Sequence, residues 1–163
     1  MHKLVLVLAL LIAGPCVMAQ KLTLTDLTNM LEWEHFRVDT VLRAKGYRQM
    51  QKDVDSSSQL YQYAHFEKKE EDAAVIRSVM YMDVQVNGME SRLFTYRTYD
   101  KEEYRELSGY LMMHDYRAVN TVDYGEEKQV LYANGKKEIR VKVIRSKLKN
   151  GRIITAYEFE LGR

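Results

Sequence analysis

Few residues of this chain combine a type and a spacing that could do chemistry. Beyond His2 there are three histidines, His35, His65 and His114. No two of them stand at the i, i+4 spacing that would put two imidazoles on one helix face for a metal ion. His114 falls at the end of a predicted helix, where it complements the helix dipole. Asp53 and Asp55 could offer weak oxygen ligands to calcium, but the downstream glutamate of an EF-hand loop is missing. Ser56, Ser57 and Ser58 lie in a polar loop without the strand-turn-helix setting that sharpens a serine nucleophile. The eight glycines are dispersed and make no phosphate-binding loop. Glu34 and Glu103 are candidates for a carboxylate pair, yet both fall on the surface of predicted helices. No catalytic constellation, metal site or cofactor site is expected, so the first reading is a non-enzymatic binding or accessory module.

The N-terminus carries a different signal. His2 and Lys3 precede an apolar run from Leu4 to Ala13, broken by Gly14 and Pro15, and Val17-Met18-Ala19 places small residues before Gln20. This is the layout of a secretory signal peptide over residues 1–19, and the run is too short to span a bilayer. The reading implies a periplasmic or secreted protein of Gram-negative-type export, with no stable membrane insertion after cleavage. Cys16, the only cysteine, leaves with the leader. The mature chain then has no disulfide, thiolate metal site or cysteine nucleophile. Lysine plus arginine exceed the acids by two, or by one once Lys3 is gone, which gives no expectation of nucleic acid.

A single α+β domain is expected over residues 20–163. Thr25 or Asp26 can cap a helix running to about Lys45, with Leu27, Leu31, Val38, Val41 and Leu42 in one stripe and Gly46 as its stop. Trp33 and Phe36 lie off that stripe. Strands are predicted over Leu60–Phe66, Val75–Val86 and Arg92–Tyr99, separated by the charged loop Glu67–Asp72 and the turn Asn87-Gly88. Ile76, Met80, Met82 and Val84 share one face of the second strand, Arg77, Val79, Tyr81 and Asp83 the other. Asp100, with Glu103 three residues on, opens a second helix in capping-box spacing. Three more strands follow: Lys128–Ala133, Glu138–Lys147, where Ile139, Val141 and Val143 face one way and Arg140 and Lys142 the other, and Ile153–Leu161, where Ile153, Tyr157, Phe159 and Leu161 face inward and Glu158 and Glu160 outward. Asp53–Ser58 and Asn120–Glu127 read as polar loops.

The two halves echo each other. A shift of 69 residues brings Glu34 onto Glu103, Leu42 onto Leu111, Tyr47-Arg48 onto Tyr116-Arg117 and Tyr63-Ala64 onto Tyr132-Ala133. A shift of 63 then brings Ile76-Arg77 onto Ile139-Arg140 and Asn87-Gly88 onto Asn150-Gly151. The expected architecture is two tandem α-β-β-β units, about 25–99 and 100–163, forming a mainly antiparallel sheet with both helices on one face. In its order of elements and its Tyr-Arg and Asn-Gly positions the chain resembles the β-lactamase inhibitory proteins. That resemblance implies a curved sheet whose open face grips a partner protein. It implies no contact residues here, because the family usually has disulfides and this mature chain has none.

The candidate binding residues follow from the alternation. Arg77, Tyr81, Arg140 and Lys142 are expected to point away from the helices, and aromatic and basic side chains are enriched at protein interfaces. Trp33 and Phe36 are a second candidate patch. The expected partner is a protein of the cell envelope. The alternative is a small-ligand carrier or hydrolase with a pocket between helices and sheet, softened by Met80, Met82, Met112 and Met113. A third reading is assembly through a free sheet edge.

Overall fold

The computed structural model describes residues 21–69, 72–86 and 88–163. The predicted leader and Asn87 lie outside the described residues. The chain is α+β, with α1 Leu24–Glu32, α2 His35–Ala44, β1 Arg48–Val54, β2 Ser58–Lys69, β3 Asp72–Val86, β4 Met89–Thr98, α3 Lys101–Met113, β5 Arg117–Asp123, β6 Glu127–Asn134, β7 Lys137–Lys147 and β8 Ile153–Gly162. All strands join one antiparallel sheet in the order β1-β2-β3-β4-β8-β7-β6-β5. Two four-stranded meanders therefore meet at the β4–β8 seam, where Thr95 lies opposite Glu160 and Arg97 opposite Glu158.

Each group of strands has one more member than expected. β1 and β5 are the outer edges, and nearly every residue in both is exposed. A strand wet on both faces shows no apolar alternation, so RQMQKDV and RAVNTVD carry no strand signal. The expected charged loop Glu67–Asp72 is instead mostly ladder, with Glu67 opposite Ala74 and Lys69 opposite Asp72.

The expected first helix is two. Thr23 caps α1 in a capping box with Asp26. The helix ends at Trp33, whose backbone is extended, and α2 restarts after Glu34. Arg92 of β4 holds the break by donating to the carbonyls of Leu31 at 3.2 Å and Trp33 at 3.1 Å. The stripe counted for one continuous helix still holds the buried Leu27, Leu31, Val38 and Leu42 of both helices; Trp33 lies off it at the break itself, and Phe36 lies off it on the exposed side of α2. Gly46 and Asp115 end α2 and α3 in the left-handed region, at φ 84° and 61°. The next residues, Tyr47 and Tyr116, then donate back to Leu42 at 2.9 Å and Leu111 at 3.0 Å. Asp115 takes this conformation without glycine's freedom.

The three helices of the described residues lie on one side of the sheet. Leu27, Met30, Val38, Leu42, Leu107 and Leu111 of the helices are buried against Tyr63, Val79, Tyr81, Phe94, Tyr96, Ile139, Val141, Phe159 and Leu161 of the strands. These side chains fill the layer between helices and sheet. At about 1.5–3 kcal/mol per fully buried large apolar side chain, this layer is the main source of stability in a chain with no disulfide to help it. The β1–β2 register, carried forward by 69 residues, is the β5–β6 register. Arg48 opposite Ala64 becomes Arg117 opposite Ala133, and the bulge at Gln49/Gln51 becomes the bulge at Ala118/Asn120. The shift of 63 does not carry on through the next strands. It equates Arg77 with Arg140, which lie on opposite faces of the sheet. By register Ser78 opposes Ala64 as Glu138 opposes Ala133, a shift of 138 − 78 = 60.

Candidate functional site

β3 presents its faces the other way round from the expectation. Arg77 and Tyr81 are buried beneath the helices at 6% and 1% exposure, while Met80 and Met82 stand half-buried on the open face. Both rows of β3 contain apolar residues, so alternation alone does not choose between them. The choice is made by polar partners on the helix side. Arg77 Nε donates to Glu103 Oε2 at 2.8 Å, and Thr98 Oγ1 donates to the same oxygen at 2.9 Å. Tyr96 donates to Oε1 of Glu103. Asp83 takes Arg92 at 2.6 Å. Glu103, expected at a helix surface, is 1% exposed. It therefore cannot close the capping box, and Asp100 alone accepts from the Glu102 and Glu103 amides. Glu34 is exposed and makes no pair with Glu103. Burial alone would push the Arg77 guanidinium toward neutrality, but the charge and hydrogen bond of Glu103 together with Tyr96 and Tyr47 outweigh it and keep the pair ionised.

Arg140 and Lys142 do face away from the helices, and the open face puts them in company. β8 presents Glu158 and Glu160 between them and Arg97 of β4. Arg97 reaches Glu158 at 2.6 Å, Lys142 reaches Glu158 at 3.2 Å and Glu160 at 2.7 Å, and Arg140 reaches Glu160 at 2.5 Å. The five charges alternate across β4, β8 and β7, and each carboxylate serves two cations. Burial opposes the charge on Lys142, yet hydrogen bonding to Glu160 and the charge of Glu158 raise its pKa. The acidic row of β8 and the basic row of β7 were legible in the sequence. Arg97 was not, because no face had been assigned to β4.

Beside this seam lies a groove of about 360 Å³, lined by Met50, Gln62, Ser78, Met80, Thr95 and the seam itself. Small side chains make room for it: Ala64 pairs with Ser78 across β2 and β3, and Thr95 of β4 stands opposite Met80. Thr95 is 7% exposed and its hydroxyl has no hydrogen-bond partner among the described residues. An unpartnered buried hydroxyl costs about 1–3 kcal/mol, so its place at the groove invites a functional explanation.

The other candidates sit on the covered side. Trp33 is partly buried at the α1–α2 break, with the Arg37 guanidinium 4.1 Å over its ring, and Phe36 is 82% exposed on α2. Neither joins Arg140 and Lys142. His35 stacks on Tyr61, and its Nε2 lies 2.7 Å from the Tyr63 hydroxyl, which donates to Asp39 at 3.0 Å. Burial lowers the His35 pKa, Asp39 raises it in part, and Lys52 and Arg43 lower it further. Asp55 accepts from the backbone and hydroxyls of Ser57 and Ser58, which hold its carboxyl at about 2. It is thus occupied by its own turn. Met112 and Met113, expected in the interlayer, are exposed at 68% and 69%.

Among the described residues, no group of three His, Cys, Asp or Glu side chains is placed to hold a metal ion, and no helix is long and apolar enough to cross a membrane. No protein family, curated protein or solved structure matches the chain.

Proposed function

We propose that this chain is an exported, non-enzymatic binding module that docks a protein partner of the cell envelope on its open sheet face. The observation that carries the reading is the one-sided placement of the helices. Among the described residues they bury one face of the sheet and leave the other uncovered, with a paired charge seam and a groove beside it. Alternating charges fixed by one another are preorganised and orient a partner's own charges more than they add raw affinity. Exposed Arg97 and Arg140 at the two ends of the seam are the groups a partner would meet first. In this reading residues 1–19 are a leader removed before Gln20, and the two halves are copies of one helix-and-strand unit. The matching bulges and helix ends support the duplication, and the resemblance to β-lactamase inhibitory proteins belongs to the same proposal.

The test is a photoreactive residue placed at Arg140 on the open face, or at Arg105 on the exposed side of α3, in the exported protein of the producing cell. Cross-linking to a defined protein from position 140 and not from 105 is the expected result. The reverse pattern removes the open face as the docking surface.

A further inference from the structure

We infer that the groove over Thr95 seats an uncharged, extended segment of the partner protein, an inference that rests on the docking reading above. Three features select that occupant.

The first is charge. The groove's two cations, Arg97 and Lys142, are already bound to its two carboxylates, Glu158 and Glu160, so the wall is neutral as a whole. A phosphate or an acidic side chain would have to displace a carboxylate, and a basic one would have to displace a lysine or an arginine. An uncharged segment enters without breaking an ion pair.

The second is the Thr95 hydroxyl. It can donate one hydrogen bond and accept others, it has no partner among the described residues, and its residue lines the groove at 7% exposure. The hydroxyl itself is buried, so it is a turn of the side chain toward the groove that would let a backbone amide or carbonyl of an entering segment satisfy it, in either sense. Gln62 and Ser78 add a side-chain amide and a second hydroxyl along the same floor.

The third is shape and softness. A groove of about 360 Å³ is near the small end of ligand sites and takes an anchor segment rather than a whole large ligand. Met50 and Met80 on its walls are unbranched and polarisable, and adapt to varied apolar side chains.

The experiment selects a displayed random-peptide library on the folded mature chain and reads each enriched peptide against three variants. Thr95→Val keeps the side-chain shape and removes the hydroxyl. Ser78→Leu fills the groove. Arg140→Glu alters the open face outside the groove lining. The expected peptides share an uncharged segment, bind Thr95→Val roughly tenfold more weakly, as for one lost hydrogen bond, and do not bind Ser78→Leu. The thermal melt of Thr95→Val is expected to match or exceed the parent, which separates a lost contact from a lost fold. Enriched peptides that share a charged residue, or that bind all variants but Arg140→Glu, keep the docking face and overturn the groove. Peptides indifferent to all three variants, or no enrichment, overturn the groove and the docking face together.

Discussion

The halves on either side of the β4–β8 seam share a frame and differ in what fills it. Both end a helix with a left-handed residue, return a tyrosine amide to a leucine carbonyl, and bulge their edge strand one turn of the ladder later. The bulges leave Met50 and Val119 exposed at 58% and 59%. Yet the first half has a broken helix, clamped by Arg92, and a chain of polar contacts through His35, Tyr63, Asp39 and Arg43. Counted forward by 69 residues, His35, Asp39 and Arg43 become Tyr104, Ser108 and Met112. There Tyr104 stacks on Tyr157, and the buried polar group of α3 is Glu103, which reaches Arg77, Tyr96 and Thr98 of the first half. The same edge-strand register thus lies beside different side-chain contacts in the two halves.

The largest effect is expected where the halves are tied. Glu103→Ala leaves the Arg77 guanidinium buried without its partner and is expected to cost about 3–5 kcal/mol in denaturant unfolding. Replacing both, Arg77→Met with Glu103→Leu, is expected to recover much of that loss. A double variant as unstable as the single would show that the cluster acts through something other than the ion pair.

Next is the clamp that only the first half has. Arg92→Met frees the Leu31 and Trp33 carbonyls and the Asp83 carboxylate, and is expected to cost about 2–3 kcal/mol. Amide exchange should quicken at the α1–α2 break and stay unchanged in α3. Faster exchange throughout would mean that the two halves unfold as one.

The left-handed residue gives a gain. Asp115→Gly gives the second half the residue that the first has at Gly46 and should stabilise by about 1 kcal/mol. A loss of stability would mean that the Asp115 side chain matters more than its backbone angle.

The smallest effect is one of pH. Because the folded His35 pKa lies below 6.5, the neutral ring is the one the fold prefers. That contribution is complete above pH 6.5 and is lost as the pH falls from there through the folded pKa. The groups facing the ring are Tyr61, Tyr63, Tyr81, Asp39, Arg43 and Lys52. Asp39 has a lowered pKa because the Arg43 and Tyr63 hydrogen bonds outweigh its burial, so its own contribution is lost only at lower pH. His35→Tyr, which installs the second half's residue, should remove the first step of the pH profile and leave the second. A profile unchanged by the substitution would assign the first step to another group.

Much of the frame was legible because burial leaves a mark in sequence. Of the inner strands, β7 and β8 followed from alternation with their inward rows, β3 from alternation with its faces reversed, the others from the turns and polar loops beside them, and the stop of α2 from Gly46. The edge strands were invisible because residues wet on both faces have no reason to alternate. The facing of β3 was misread because Met80 and Met82 look more like core than Arg77 and Asp83 do. Only the tertiary partners, Glu103 and Arg92, make those charges buriable. On the open face the alternation gave Arg140, Lys142, Glu158 and Glu160. Thr95 left no trace, since a threonine in a strand reads the same whether its hydroxyl is paired or orphaned.

The proposed docking on the open face can be tested directly by oxidative footprinting of methionines, with and without an extract of the cell envelope. The sequence supplies reporters on both sides: Met50 and Met80 line the open-face groove, while Met112 and Met113 are exposed on α3. Docking on the open face predicts slower oxidation of Met50 and Met80, with Met112 and Met113 unchanged. Protection of the α3 pair with Met50 and Met80 still reactive would contradict it.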